Sequence, residues 1–217
     1  MNRLTTRIGD DMITEKTVFF LLLAALCAGA SGGIVHAAGD PDAGKQVFQA
    51  CARCHGPALA AEANRQQPVP RLGGQHATYL LSSLDAYAGG KRKHAEMERI
   101  AGSLSQQEKE DIAAYLAQFE LKQFPIPGSG DAPAAIATII ENCRVCHGVG
   151  GNSFVPDYPR INGQDEQYLL EALKSYQNGA RTNATMVYVV KNLTEQELRD
   201  IAAYYAGQKG GLTAINK

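Results

Sequence analysis

The pattern Cys-x-x-Cys-His occurs twice in this chain, as Cys51-Ala52-Arg53-Cys54-His55 and Cys143-Arg144-Val145-Cys146-His147. Each copy opens one unit of an internal repeat. Pro70-Arg71-Leu72-Gly73-Gly74-Gln75 matches Pro159-Arg160-Ile161-Asn162-Gly163-Gln164, and Tyr79-Leu80-Leu81 matches Tyr168-Leu169-Leu170. Gly90 matches Gly179, Met97 matches Met186, Leu104-Ser105 matches Leu193-Thr194, and Ile112-Ala113-Ala114-Tyr115 matches Ile201-Ala202-Ala203-Tyr204. All these pairs keep an offset of 89, whereas the two Cys motifs are offset by 92. The first copy therefore carries three extra residues between its motif and Pro70, a difference in loop length. A repeat of this kind confines the fold to two copies of one unit, each with its own core.

The unit reads as helical. Residues 41–52 and 133–145 are expected to form helices leading into the Cys motifs. Tyr79, Leu80, Leu84 and Tyr87 recur at helical spacing, as do Tyr168, Leu169, Leu173 and Tyr176. Ser105-x-x-Glu108 and Thr194-x-x-Glu197 are capping boxes that open the last helix of each copy. Nothing alternates with the period of two that strands need, and the stretches 56–75 and 148–164 read as loops. Residues 123–132, followed by Pro133, are rich in Pro and Gly and read as a linker. The expectation is an all-α chain with domains at 38–122 and 133–217. Trp is absent and aromatics make up 7% of residues, a thin supply for two small cores. Small domains so equipped need additional staples or a cofactor.

Residues 1–37 read as an export signal. Lys16 precedes an apolar run from Val18 to Ala30, and Val35-His36-Ala37 offers a cleavage site. The run is shorter than the ~20 apolar residues of a membrane span. An uncleaved anchor, giving peripheral membrane attachment, is the alternative. Met12 would start a more ordinary signal than Met1. Cys27 follows Leu26, a poor context for a lipoprotein, and is expected to leave with the signal. The predicted location is the periplasm. With 21 Lys+Arg against 22 Asp+Glu, the basic excess of a nucleic-acid binder is missing.

In an exported chain, Cys51, Cys54, Cys143 and Cys146 would first suggest disulfides. Their spacing instead is the attachment signature of c-type haem. The thiols add to the two vinyl groups as thioethers, and His55 or His147 comes under the iron. Two such motifs at equivalent repeat positions imply two covalently bound haem c groups. A zinc ribbon would need its Cys pairs about 15–20 residues apart, and a thioredoxin-like pair a βαβ context. Neither is present. Beyond residue 38 the only methionines are Met97 and Met186, at the same repeat position, which makes them the expected second axial ligands. His94 and Lys93 compete for the first iron, but their counterparts are Asn183 and Thr182, which do not ligate haem in this way. The run Lys91-Arg92-Lys93-His94 reads as a solvated loop, or as a docking patch for an acidic partner. His76 aligns with Asp165 and is given no ligand role. Arg53 and Arg144 are expected in solvent, with haem propionates as the alternative partner.

The two C-x-x-C-H-G motifs, the two P-R-[LI]-x-G-Q segments and the G-x-R…M segments resemble class I cytochromes c. Their tandem arrangement resembles the dihaem cytochrome c-four group. The resemblance covers nearly all of residues 38–217. It implies that the carbonyls of Pro70 and Pro159 accept hydrogen bonds from His55 and His147, fixing each ring and raising its basicity. It also implies a close crossing of the first and last helices through Gly44 and Phe48 against Ile112 and Tyr115. Ile136 and Ile140 replace Gly44 and Phe48 in the second copy, so a wider or shifted crossing is expected there. Family members carry electrons between a respiratory cytochrome bc complex and haem-copper terminal oxidases in Gram-negative bacteria. Iron held by His and Met has no open position, so the expected role is outer-sphere electron transfer and not catalysis. The alternative is a cytochrome subunit of a periplasmic dehydrogenase, such as a flavin-containing sulfide dehydrogenase. A monomer is expected, with the halves related by a pseudo-twofold axis and the propionate edges facing each other.

Overall fold

The computed structural model describes residues 39–56, 68–119, 121, 132–208 and 210–213. The predicted signal and all of the predicted linker except Ala132 lie outside the described residues. Residues 38–217 form one compact unit.

Eight α-helices are seen among the described residues, four from each copy. In the first, Asp40 caps α1 (Pro41–His55) by accepting from the amides of Asp42 and Ala43, and Pro41 supplies the preset φ of a first helical turn. The helix runs three residues past the expected end, so its last turn is the Cys motif itself. Then come α2 (Ala77–Ala88), α3 (Ala95–Ser103) and α4 (Gln106–Ala117). The second copy gives α5 (Ala137–His147), a 3-10 turn at Val149–Gly151, α6 (Glu166–Gln177), α7 (Ala184–Val190) and α8 (Glu195–Ala206). Both capping boxes are formed, Ser105 with Glu108 and Thr194 with Glu197.

The helix expected from residue 133 starts at Ala137. No side chain caps its first turn, and Ile136 bonds back to the Pro133 carbonyl at 2.9 Å in a preceding turn. Ile136 is fully buried, so this turn serves the core and not the helix.

Each copy has its own core. Phe48, Leu80, Ile112, Ala113, Tyr115 and Leu116 form the first; Ile136, Ile140, Leu169, Ile201, Ala202 and Tyr205 form the second. The crossing of α1 with α4 is so close that a Cβ on Gly44 would run into the Asp111 carbonyl. Phe48 packs on Tyr115 with ring centroids 5.5 Å apart. In the second copy the backbones of α5 and α8 make no comparably close approach. Ile136 and Ile140 fill the gap, which is the wider crossing their size implies.

No strand occurs among the described residues, but two isolated bridges, Gly73 with Thr213 and Arg92 with Arg181, cross between the copies. A reciprocal network surrounds the first. The Gln164 side chain accepts from Arg71 N at 2.7 Å and donates to Arg71 O at 2.9 Å. Gln75 does the same to Arg160, at 2.9 and 2.8 Å. Arg71 Nη1 donates to the Gly163 carbonyl, and Arg160 Nη1 to the Gly74 carbonyl, at 2.8 and 2.5 Å. Every bond has a twin at the 89-residue offset, which is pseudo-twofold symmetry in hydrogen bonds.

Gln75 and Gln164 are 4% and 5% exposed, so their loss strands main-chain groups away from water. An orphaned buried group costs about 1–3 kcal/mol. Gln164→Ala should therefore lower stability by about 2 kcal/mol or more. Calorimetry of the holoprotein checks this, and a variant melting like its parent would contradict it.

Candidate haem-binding sites

The site in each copy is built where the first helix ends. Cys51 and Cys54, three residues apart, lie on one side of the last turns of α1, and His55 closes the helix. Gly56 follows and donates its amide to the Ala52 carbonyl. In α5, Cys143, Cys146 and His147 repeat the arrangement before Gly148, whose φ of +75° suits glycine. Among the described residues neither Cys51 with Cys54 nor Cys143 with Cys146 forms a disulfide. Burial pushes the Cys51 and Cys143 thiols above their usual range. They are therefore neutral near pH 7, unlike activated redox thiolates. No cluster of three His, Cys, Asp or Glu side chains that could hold a bare metal ion occurs among the described residues.

His55 Nδ1 lies 3.1 Å from the Pro70 carbonyl, and His147 Nδ1 lies 2.9 Å from that of Pro159. A carbonyl only accepts, so Nδ1 carries the proton in each ring and the lone pair is on Nε2, the nitrogen that would meet a metal. His147 is 8% exposed. Burial lowers its pKa, partly opposed by the bond to Pro159, and the ring is neutral as a ligand must be. The loop beyond it is pinned by Ser153, whose hydroxyl donates to the Cys146 carbonyl and accepts from Val155 N.

Met97 and Met186 are each the third residue of a helix, α3 and α7. His94 Nδ1 accepts the Met97 amide proton at 3.3 Å, and Asn183 Oδ1 accepts that of Met186 at 3.1 Å. The aligned pair His94 and Asn183 are thus N-caps, each fixing the turn that presents a methionine. His94 also packs edge-on to Tyr87. The sequence offers His94 as a rival to Met97 or as an exposed residue of the basic run; the structure adds a role as the N-cap of α3. Its alignment with Asn183, a favoured cap residue, was the available signal.

The other basic residues also sort themselves. Arg53 is exposed, while Arg144 Nη1 pairs with Glu141 at 2.6 Å. Lys91 to His94 is not a uniform solvated patch. Arg92 is 8% exposed, and the Lys93 amide donates across to the Ala180 carbonyl. Lys93 Nζ faces Glu98 at 3.9 Å. His76 Nε2 lies 2.9 Å from the Ser153 carbonyl, so it joins the two copies.

The residues fit haem c. In each copy two thiols could add to vinyl groups, an imidazole aimed by a carbonyl could meet the iron, and a thioether on a separate capped helix could be its second donor. Exposed apolar side chains lie close in the chain to His147 and Met186: Val145, Phe154 and Val155 on either side of His147, and Tyr188 and Val189 just after Met186. Exposed apolar groups of this kind suit an apolar macrocycle.

The family model described as Cytochrome c matches residues 41–120 and 133–207, once in each copy. Cytochrome c4 of Azotobacter vinelandii is 32% identical over 201 residues, covering 81% of this chain and 92% of that protein. A thiosulfate dehydrogenase electron acceptor of Stutzerimonas stutzeri is 29% identical over 204 residues, covering 87% and 92%. The crystal structure of reduced recombinant cytochrome c4 from Pseudomonas stutzeri superposes with a TM-score of 0.60 at 27% identity, over 79% of this chain and 100% of that one. The chain belongs to the cytochrome c family. It is of the dihaem cytochrome c4 type within class I, carries two covalently bound haem c groups, and transfers electrons without being an enzyme.

Covalent attachment gives a direct check. Protein unfolded in guanidinium should yield no titratable thiol and keep two haems per chain through denaturing electrophoresis. Free thiols matching the four cysteines, or haem lost on unfolding, would contradict it.

Proposed function

We propose that this chain is a periplasmic carrier of single electrons, taking them from a respiratory cytochrome bc complex and passing them to a haem-copper terminal oxidase. In this reading residues 1–37 are the export signal, 38–122 and 133–217 the two cytochrome domains, and 123–132 their linker. Cys51 and Cys54 hold the first haem, with His55 and Met97 as axial ligands. Cys143 and Cys146 hold the second, with His147 and Met186. Bound haem supplies an iron that alternates between ferrous and ferric. The chain does the rest. The Pro70 and Pro159 carbonyls orient the imidazoles and make them better donors. The caps of α3 and α7 hold the thioethers, and Met ligation raises the potential. With a His and a Met holding each iron, a substrate would have no place to coordinate, so the partner would be another redox protein and not a small molecule. The protein acts as a monomer.

The observation that carries this reading is the reciprocal hydrogen-bonded seam. It joins the Pro70–Gln75 and Pro159–Gln164 segments, each of which also anchors an axial histidine. Two sites so linked can share an electron within one molecule. Propionate edges turned towards this seam would shorten that path.

A second reading is a dedicated cytochrome partner of a periplasmic dehydrogenase, such as a flavin-containing sulfide dehydrogenase. The relative named as a thiosulfate dehydrogenase electron acceptor supports a sulfur-oxidising source of electrons. Reduction by an isolated cytochrome bc complex, set against reduction by such a dehydrogenase, separates the two.

The ligand assignment has its own test. Met97→Ala should lower one of the two potentials by more than ~59 mV, a tenfold change in a one-electron equilibrium, and leave the other near its parent value. Met186→Ala should do the same to the other. Spectroelectrochemical titration reads both, and two unchanged potentials in either variant would reject that methionine.

A further inference from the structure

Beside the glutamine network, the second bridge of the seam brings two arginines together. Arg92 and Arg181 face each other across the copies, and the Lys93 amide and Thr182 hydroxyl tie the same segments at 2.8 and 3.3 Å. The Arg92 guanidinium lies 4.4 Å over the Tyr87 ring, and Nη2 donates to the Tyr168 hydroxyl at 2.5 Å. Arg181 lies 5.4 and 5.5 Å over the rings of Tyr168 and Tyr176, and its Nη2 reaches the same hydroxyl at 3.3 Å.

Among the described residues no carboxylate pairs with either guanidinium. The ion pairs of the described residues use Lys93, Arg99, Lys109, Arg144, Lys174 and Arg199 instead. Two like charges, one of them 8% exposed, therefore meet at a buried seam without an anion. A buried charge without a counter-charge is strongly unfavourable. Arg92 Nε is buried with no hydrogen-bond partner. The Tyr168 hydroxyl accepts from both arginines and, among the described residues, donates to no group, so its proton is not committed to any of them. The cluster thus presents guanidinium edges and one phenol proton, all donors, which is the complement of a planar carboxylate.

The chain's own cofactors bring carboxylates, since each haem c carries propionates. Arg92 stands five residues before Met97 and Arg181 five before Met186, on the segments that lead into the methionine helices. We propose that Arg92 and Arg181, with Tyr168 between them, form an interdomain carboxylate cradle that takes propionates of the bound haems and ties both cofactors to the seam. This rests on the reading of two ligated haems above. It adds asymmetry: Tyr79, the repeat counterpart of Tyr168, makes no hydrogen bond to either arginine. The two haems would accordingly sit in unequal electrostatic settings although their axial ligands match.

The rival anion is Tyr168 itself. Burial opposes its ionisation, but Arg92 and Arg181 more than offset that and pull its pKa down to about 8. Tyr87, facing the same cluster, is pushed up to about 12, chiefly by burial, and Tyr176 is raised for the same reason. A carboxylate in the cradle would instead keep the Tyr168 phenol protonated as a donor.

Arg92→Gln, Arg181→Gln, the double variant and Arg92→Lys should be made as holoproteins. Each is titrated for its potentials across neutral pH and examined by resonance Raman in the propionate bending region. Removal of a cation should lower at least one potential, because an uncompensated carboxylate favours ferric iron. It should also give that potential a downward slope with pH, as the released propionate takes up a proton on reduction. The propionate bands should shift, and Arg92→Lys should recover part of the potential. Potentials, slopes and bands that superpose on the parent's would overturn the cradle. Ultraviolet difference titration of the unmodified protein decides even if the Gln variants fail to mature. One tyrosinate forming near pH 8 would make Tyr168 the anion and reject the proposal, whereas no tyrosinate below about pH 10 supports it. Haem content and the weak far-red band of thioether-ligated ferric iron are read in parallel. Their absence from the parent would overturn the ligation reading, and with it the cradle; their presence with unmoved potentials would overturn the cradle alone.

Discussion

The six-residue segment from a proline to a glutamine carries two constraints at once, and the rest of the molecule is arranged around it. Its first carbonyl takes the proton of an axial-type histidine, 3.1 Å away in one copy and 2.9 Å in the other. Its arginine and glutamine bond the equivalent segment of the opposite copy. The orientation of each imidazole is therefore mechanically continuous with the contact between the halves. Proline suits the first position, since its missing N–H leaves only an acceptor to offer. The buried glutamine suits the last, because one amide satisfies both main-chain groups of the arginine opposite.

Much of this could be read from the chain alone, because a repeat aligns residues by task. The matched methionines and the capping boxes sit at one offset of 89, and the Cys motifs with the helices that lead into them at 92. The exchange of Gly44 and Phe48 for Ile136 and Ile140 also conveyed its physical meaning, since backbone approach is limited by what stands at the crossing. Other features stayed hidden. His94 is a competitor to Met97 in the sequence because imidazole binds iron; the placement of its Nδ1 against the Met97 amide shows it to be a cap, at which its alignment with Asn183 hints. Arg92 sits within four consecutive basic residues, and such runs are ordinarily solvated. Its burial depends on Tyr87 and on Tyr168 from the other copy, a tertiary contact that no local pattern encodes. The late start of α5 likewise follows from Ile136 being drawn into the core before a helix can form.

The copies differ in the surface beside their Cys motifs and methionines and keep the paired glutamine and arginine bonds where they meet each other. Around Met97 the helix carries Glu96, Glu98 and Arg99; around Met186 it carries Val187, Tyr188 and Val189, with Tyr188 71% exposed. The last variable residue of the Cys motif is Arg53 in one copy and Val145, 84% exposed, in the other. The surface around these motifs is thus charged in the first copy and apolar in the second. At the seam the glutamine and arginine pairs are unchanged. The exposed surfaces of the two copies are therefore chemically different, while the contact between the halves is shared by both.

The twinned bonds of the glutamine network have an ancestral implication. A surface that bonds to a rotated copy of itself is isologous, the geometry of a homodimer. Either half, cut free of the other, retains donor and acceptor alike, lock and key on a single patch. The chain can thus be understood as a symmetric pair of identical small proteins whose genes became one, after which the sharing of a covalent backbone released the outer faces to specialise separately.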